Sequence, residues 1–200
     1  MMNTKIGCLG LSLCASLSLL AQKEKVTYRF DQAIVVDSAS TLLLPMRQDG
    51  DLLSGGKLML GNEGYSNIVF YNFVTDSYQR LFVDDVQILS VRGNNLLKSA
   101  RNKRLFYLVK DKDFNRNTRI DTKDPSILYV SDLQGKNLKA LTTENEHVLQ
   151  VDMYDAQGFA LLHIQLDADN DGSYESEDKS FYCVKLDLST LTLGKPIEAK

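Results

Sequence analysis

Residues 167–178, with the sequence DADNDGSYESED, form the segment of the chain best suited to bind a ligand. Carboxylates at positions 1, 3 and 5 of such a loop converge inside a tight turn, and glycine at position 6 permits the sharp bend. Position 7 can offer its backbone carbonyl, and an acid at position 12 closes the ligand sphere. Hard cations such as calcium prefer oxygen ligands of this kind. The pattern therefore predicts a calcium site formed by Asp167, Asp169, Asp171, Ser173 and Asp178.

The segments around this loop differ from those of an EF-hand, where two helices enclose a loop of the same pattern. Residues 161–166 and 180–184 on either side are rich in aromatic, branched and other apolar residues, which favours strands. Asp178 also stands where a longer glutamate is usual. Calcium bound between two strands is the prediction, and the alternative is a solvated acidic hairpin tip that holds no metal.

A second acidic loop lies 56 residues earlier when Asp111 is taken as its first position. Arg116 then stands where the other loop has glycine, and either Asp121 or Asp124 could close the loop. We expect a second calcium site here, with four ligand residues: Asp111, Asp113, Asn115 and Asp121. The equivalent segment near the N-terminus, residues 49–51, keeps only Asp-Gly-Asp, and no metal is expected there.

The acidic loops are part of a set of features that recurs in the same order along the chain. In each unit an apolar run leads to an acidic motif and a polar loop, and a small polar residue then opens an aromatic, β-branched run. The first aspartate of the motif stands at residues 49, 111 and 167, which gives spacings of 62 and 56. A period of this length, with insertions in its loops, indicates a repeated supersecondary unit. We place the units at roughly 34–83, 86–142 and 147–198.

The composition of the apolar runs predicts strands, because Val, Ile, Tyr and Phe fit the half-buried surface of a sheet. Clusters of Gly, Asn and Asp bound the runs, as expected for turns between short strands. In the third unit we expect strands at 147–153, 159–166, 180–186 and near residue 192. The predicted fold class is all-β, with about three units of four antiparallel strands.

Residues 127–142, with the sequence ILYVSDLQGKNLKALT, resemble the blade consensus of TolB-type, WD40-like β-propeller repeats. The shared features are an aromatic strand, an Asp-Leu pair, a glycine turn and a closing Leu-Thr. The resemblance implies that the units are propeller-like blades. Closed propellers need about 4 to 8 blades, so three units predict a short or incomplete propeller. Its open strand edges could pair with another copy of the chain.

Residues 1–21 have the pattern of a secretory signal peptide. A lysine precedes a charge-free apolar run over 6–20, which is too short for a membrane span. The Ala21–Gln22 junction resembles those of signal peptides common in the Bacteroidetes. We expect cleavage there, export to the periplasm, cell surface or extracellular space, and one β-repeat domain over 22–200 without a membrane span. The alternatives are an uncleaved anchor, a buried core helix, or lipidation at Cys14.

Few residues of the expected mature chain suit catalysis. Its histidines, His147 and His163, lack the spacing of zinc ligands, and His163 is expected to be a satisfied strand histidine. Its one cysteine, Cys183, lies in an apolar run, which favours a buried and unreactive thiol. The sequence shows no nucleophile elbow, phosphate-binding loop or Cys–His motif.

The formal charge of −3 lacks the basic excess of a protein that binds nucleic acid. We therefore predict an exported, non-enzymatic module that binds calcium and mediates interaction with a protein or a glycan. The alternative is a small secreted hydrolase that uses a carboxylate pair on the β scaffold.

Overall fold

The computed structural model describes residues 27–36, 40–48, 64–89 and 98–198. Within these ranges the chain forms three antiparallel β-sheets and no α-helix, which confirms the all-β class. A single 3-10 turn at Asp155–Gln157 is the helical segment described, and no described helix is long and apolar enough to span a bilayer. The predicted signal peptide and the acidic trace at 49–51 lie outside the described residues.

The first and second sheets each contain five strands. Those of the first are β1 (Tyr28–Phe30), β2 (Ile34–Val35), β3 (Thr41–Gln48), β4 (Asn67–Asn72) and β5 (Ser77–Arg80). Those of the second are β6 (Gln87–Ile88), β7 (Lys98–Ser99), β8 (Arg104–Lys110), β9 (Ile127–Asp132) and β10 (Lys139–Ala140). The strand orders are β1-β3-β4-β5, with β2 also on β3, and β10-β9-β8-β6, with β7 also on β8.

The third sheet has the order β11-β12-β13-β14. Its strands are β11 (Glu146–Tyr154), β12 (Phe159–Leu166), β13 (Ser180–Asp187) and β14 (Leu193–Glu198). The four strands that the sequence predicts for this unit are thus confirmed, and the bounds predicted for the first three differ from those observed by at most one residue. The turn between β11 and β12 closes at Gly158, whose φ of 80° is a conformation that glycine adopts without steric cost.

The opening strand of each sheet is interrupted or bulged. β1 and β2 pair with opposite ends of β3, and β6 and β7 pair with opposite ends of β8. β11 runs along the whole of β12 but shifts register between Val148 and Gln150. The three sheets therefore share a topology as well as a chain order, which confirms the repeated antiparallel unit.

The sheets stack face to face in chain order through two hydrophobic clusters. Because neighbouring residues of a strand face opposite sides, β8 contributes to both clusters. Leu105, Tyr107 and Val109 pack against the first sheet, and Phe106 packs against the third. The second sheet is therefore buried on both faces, whereas each of the other two packs on it through one face.

The turns after β4, β9 and β13 show residue by residue that the three units are equivalent. The strands end at Asn72, Asp132 and Asp187. Each of these side chains accepts a hydrogen bond from the backbone amide two residues later, at 2.8–3.0 Å. Each is followed by one apolar residue: Phe73, Leu133 and Leu188. These three residues are equivalent positions of the repeat.

Candidate metal centre

Two acidic loops leave their sheets at equivalent places. Loop 113–124 connects β8 to β9, and loop 167–178 connects β12 to β13. The loops lie side by side, since the Tyr174 amide donates to the Lys123 carbonyl at 2.8 Å. The Lys123 ammonium also pairs with the Glu175 carboxylate. The stacking of the second and third sheets thus brings both predicted calcium sites to one region of the surface.

The carboxylates of Asp167, Asp169 and Asp171 converge in loop 167–178, with one oxygen of each within 4.8 Å of the others. Asp167 is positioned by the backbone, because its two oxygens accept from the amides of Asp171 at 3.2 Å and Gly172 at 2.9 Å. The pKa of Asp169 is raised: a hydrogen bond from the Asp171 amide lowers it, but desolvation and the neighbouring carboxylates outweigh that bond. The loop thus concentrates negative charge that a cation could balance.

The other two predicted ligands of this loop are engaged by its backbone. Asp178 is buried, and its oxygens accept from the amides of Ala168 at 2.8 Å and Glu175 at 3.1 Å. Its side chain therefore braces the loop from the inside. Ser173 donates its amide to Asp171 at 2.7 Å. The structure brings three of the five predicted residues together as a carboxylate cluster and places Asp178 beneath them.

Loop 113–124 repeats this hydrogen-bonding pattern 54 residues earlier. Asp113 accepts from the amides of Asn117 at 3.0 Å and Thr118 at 2.7 Å, as Asp167 does in the other loop. Asp124 corresponds to Asp178, since it is fully buried and accepts from the amides that match those bound by Asp178. The two twelve-residue loops therefore have one conformation.

The loop of the second unit begins at Asp113, and its expected start at Asp111 is wrong. Thr118, with φ of 77°, occupies the place of Gly172, with φ of 81°, whereas Arg116 matches Asn170 in the other loop. Both residues 111 and 113 are aspartates, and residues 111–112 separate β8 from its loop, whereas loop 167–178 follows β12 directly. The spacing of the motif therefore does not reveal the register.

The residues predicted as ligands of the second unit are spread over several contacts. Asp111 lies at the strand end and accepts from the Tyr129 hydroxyl at 2.7 Å. Asp121 accepts from the Asn117 side chain at 3.0 Å, and Asn115 accepts from the Asn117 amide at 3.1 Å. Asp111 is thus outside the loop that holds Asp113, Asn115 and Asp121.

The two loops differ in charge although they share one conformation. Loop 113–124 contains three aspartates and three basic residues, so its formal charge is zero. Loop 167–178 contains six acidic residues and no basic one, so its formal charge is −6. The charges of loop 113–124 therefore sum to zero, whereas loop 167–178 stays strongly negative although Lys123 pairs with its Glu175.

A side chain at the end of each strand supports the loop from below. The ammonium of buried Lys110 donates to the carbonyls of Asp124 and Thr122, and burial lowers the pKa of Lys110 to about 8. The Gln165 amide group does the same in the third unit, at 2.9 Å from the Asp178 carbonyl and 2.8 Å from that of Glu175. The second unit therefore has an internal cation where the third has a neutral amide.

His147 lies beside this support. Its Nδ1 accepts from the Ser126 amide at 2.8 Å, and its ring lies 5.1 Å from the Tyr174 ring. Burial and the nearby Lys110 ammonium lower the pKa of His147 to about 4. The imidazole is therefore neutral at physiological pH and serves as a hydrogen-bond acceptor between the loops.

A cluster that the sequence did not predict lies on the third sheet. Cys183 is half-buried, and its Sγ lies 3.4 Å from Nδ1 of His163. Nε2 of His163 lies 2.9 Å from Asp152. The expected burial of Cys183 is wrong, and antiparallel β12 and β13 place His163 directly opposite it, a contact that no sequence motif indicates. The register of these strands is the signal that could have found the pair.

No protein-family model matches the chain, and no curated protein is significantly similar to it in sequence. Its function is therefore inferred from the residues and the geometry described above.

Proposed function

We propose that the chain is an exported, non-enzymatic, β-propeller-like module that binds calcium in loop 167–178 and mediates interaction with a protein or a glycan. The three stacked sheets are the blades in this proposal, and residues 1–21 direct export. The observation that carries the calcium assignment is the convergence of three carboxylates in a loop of charge −6. The calcium ion would stabilise the fold and take no part in a reaction.

The chemistry of the cluster supports calcium over softer metals. Its donors are carboxylate oxygens, which hard cations prefer, and the described loop contributes neither a thiolate nor an imidazole. Three like charges within 4.8 Å repel one another, so a divalent cation between them lowers the energy of the folded loop. Exported proteins also meet calcium concentrations that fill sites with a Kd of about 10⁻⁴–10⁻³ M.

The neighbouring loop 113–124 is the weaker candidate. It has the same backbone but holds Asn115 and Asn117 where the other loop has aspartates. Its basic side chains and the buried Lys110 ammonium already balance its acids. We therefore assign one calcium ion per chain, in loop 167–178.

The outer face of the first sheet supports the interaction part of the proposal. This face consists of the side chains of β3 and β4 that point away from the second sheet, together with the residue after β4: Leu42, Leu44, Val69, Tyr71 and Phe73. Phe73 is exposed, Val69 is buried and the other three are half-buried. In the second and third sheets the equivalent residues are buried against the preceding sheet, apart from the half-buried Tyr129. Leu133 and Leu188 are 7% and 0% exposed, whereas Phe73 is 52% exposed. The face therefore has the composition of a sheet-to-sheet interface, which favours a protein partner that offers an apolar surface.

The hydrolase alternative has less support. A hydrolase of the glycosidase type needs two carboxylates in one cleft. The 390 Å³ cleft between the second and third sheets is lined by one carboxylate, Asp132. One oxygen of Asp132 accepts from the turn amides of Gln134 at 3.0 Å and Lys136 at 2.8 Å. Asp132 therefore stabilises the turn that follows β9.

Isothermal titration of the full chain with calcium tests the assignment. We expect one ion per chain and a Kd in the range of weak extracellular sites, about 10⁻⁴–10⁻³ M. Asp171→Asn keeps an oxygen that can accept the Ser173 amide but removes a charge, so binding should weaken at least about tenfold. Asp113→Asn removes one charge from the neighbouring loop, at the position equivalent to Asp167, and should leave binding unchanged. An absence of binding, or a loss with Asp113→Asn alone, would contradict the proposal.

A further inference from the structure

The outer face of the third sheet carries a chain of three polar side chains from three adjacent strands. Asp152 lies on β11, His163 on β12 and Cys183 on β13. Asp152 contacts Nε2 of His163 at 2.9 Å, and Nδ1 of His163 lies 3.4 Å from the Cys183 Sγ. A sulfur hydrogen bond of this length joins the thiol to the ring. The arrangement contains a nucleophile, a base and a group that orients the base.

Asp152 determines which nitrogen of His163 carries the proton. Hydrogen bonds from Gln150 and His163 lower the pKa of Asp152, so its carboxylate is ionised at neutral pH and only accepts. Nε2 of His163 must therefore donate to Asp152. In the neutral ring Nδ1 is then the free acceptor, and the Cys183 thiol donates to it. The thiol proton is thus already directed at its base.

The residues around the thiol can accept its proton and balance the charges that result. Transfer of the proton to Nδ1 gives a thiolate beside an imidazolium, and Asp152 balances the imidazolium. Lys185 lies two residues along β13 on the same face as Cys183, and its ammonium lies over the Phe159 ring, 5.2 Å from the ring centroid. Ile197, directly opposite Cys183 on β14, is uncharged. Cys183 is thus opposite its base on one neighbouring strand and opposite an apolar side chain on the other.

The surroundings of Cys183 determine which electrophiles can reach it. Phe181 and Ile197 flank it and are 50% and 60% exposed, so the thiol lies on an open, partly apolar surface. Such a surface offers no enclosed site in which hydrogen-bond donors could stabilise the transition state of acyl transfer. It suits a small electrophile that is reactive by itself. Low-molecular-weight disulfides are such electrophiles in exported compartments.

We propose that Cys183 is an activated thiol that undergoes exchange with low-molecular-weight disulfides, with His163 as its base and Asp152 as the positioning residue. The thiolate attacks one sulfur of R–S–S–R, the old S–S bond breaks, and a bond forms between Sγ and that sulfur. The leaving thiolate takes the proton held by the His163 imidazolium. One protein thiol and one disulfide thus give one mixed disulfide and one free thiol, so no further oxidant is needed.

The test is the rate of mixed-disulfide formation on Cys183 in the full chain at pH 7, with hydroxyethyl disulfide as the probe. Mass spectrometry of the tryptic peptide 180–185 reports this cysteine separately from Cys8 and Cys14. The same chain in guanidinium chloride provides the reference rate of a thiol without neighbours. We expect folded Cys183 to react about tenfold faster than this reference, since the adjacent His163 can take the proton of the attacking thiol.

Two variants separate activation from simple exposure. His163→Gln should slow the folded chain about tenfold and leave the rate in guanidinium chloride unchanged. Asp152→Asn should cause a smaller loss, because the ring loses its orientation but keeps its basic nitrogen. A folded wild-type rate at or below the denatured rate would overturn the proposal even if a variant failed to fold. An unchanged rate in folded His163→Gln would overturn it as well.

Discussion

At the residue scale, Thr118 and Gly172 have the same backbone conformation at equivalent positions of the two acidic loops. A positive φ costs a β-branched residue about 1–2 kcal/mol, whereas glycine adopts it freely. Thr118 has φ of 77° and therefore carries strain that Gly172 avoids at 81°. Loop 113–124 retains its conformation in spite of this cost because Asp113 and Asp124 hold it through backbone hydrogen bonds.

Substitutions at this pair should have opposite effects on stability. We expect Thr118→Gly to raise the free energy of unfolding by about 1 kcal/mol and Gly172→Ala to lower it by a similar amount. An alanine Cβ at residue 172 would lie 3.8 Å from its nearest neighbours, so no clash contributes. Urea denaturation of the two variants measures both changes. A destabilised Thr118→Gly would show that the threonine side chain outweighs its backbone strain.

His147 makes stability depend on pH. Its pKa of about 4 in the folded chain lies below the ordinary 6.5, so the unfolded chain binds more protons between these values. The stability that neutral His147 contributes is present above pH 6.5 and is lost as the pH falls towards 4, by about 3 kcal/mol in total. His147→Asn keeps an acceptor for the Ser126 amide but does not titrate. Denaturant unfolding at pH 7, 5.5 and 4.5 should show a flatter profile for this variant than for the wild type, and equal slopes would refute the assignment.

At the element scale, the long strands were predictable and the interrupted ones were not. The third-unit strands stand out because apolar and aromatic residues run between polar turns. β2, β6 and β7 have two residues each, too few to show a period, and only pairing with β3 or β8 defines them. The acidic loops were recognised by residue type, but their register depends on backbone hydrogen bonds that composition does not encode. The Cys183–His163 pair likewise follows from strand register alone.

The strand-end support beneath each loop gives an element-scale prediction. Lys110 and Gln165 donate to loop carbonyls, so a side chain without a donor leaves buried acceptors unsatisfied, at a cost of about 1–3 kcal/mol. Lys110→Met should therefore lower the free energy of unfolding at pH 7. Lys110→Gln copies the third unit and should be less destabilised than Lys110→Met. Chemical denaturation of both variants makes the comparison, and a Met variant as stable as the Gln variant would show that these hydrogen bonds are dispensable.

At the scale of the whole molecule, the described residues form a stack of three sheets whose two ends differ. The central sheet is buried on both faces. The outer face of the first sheet is apolar, so a further sheet could pack on it. The outer face of the third sheet instead carries the polar residues Asp152, His163 and Lys185 among its apolar ones. The sequence predicted the three units, but the difference between the ends appears only when equivalent positions are compared across the stack.

The difference between the two outer faces predicts which end of the stack mediates self-association. The wild-type chain should self-associate at high concentration through the first sheet, and Phe73→Asp should keep it monomeric. Phe181→Asp is the matched control on the third sheet, because Phe181 and Phe73 are 50% and 52% exposed. Sedimentation equilibrium over a range of concentrations distinguishes the variants. Equal association of both variants would assign the contact to another surface, such as the sheet edges.

The central claim is that calcium in loop 167–178 stabilises the whole stack, and thermal unfolding in EDTA and in millimolar calcium tests it most directly. Calcium at about ten times its Kd should add roughly 1.4 kcal/mol and raise the midpoint by a few degrees. The shift should vanish in the double variant Asp167→Ala/Asp171→Ala and persist in Asp113→Ala. If calcium leaves the wild-type midpoint unchanged, or raises that of the double variant equally, loop 167–178 is a solvated acidic turn and the calcium assignment is wrong.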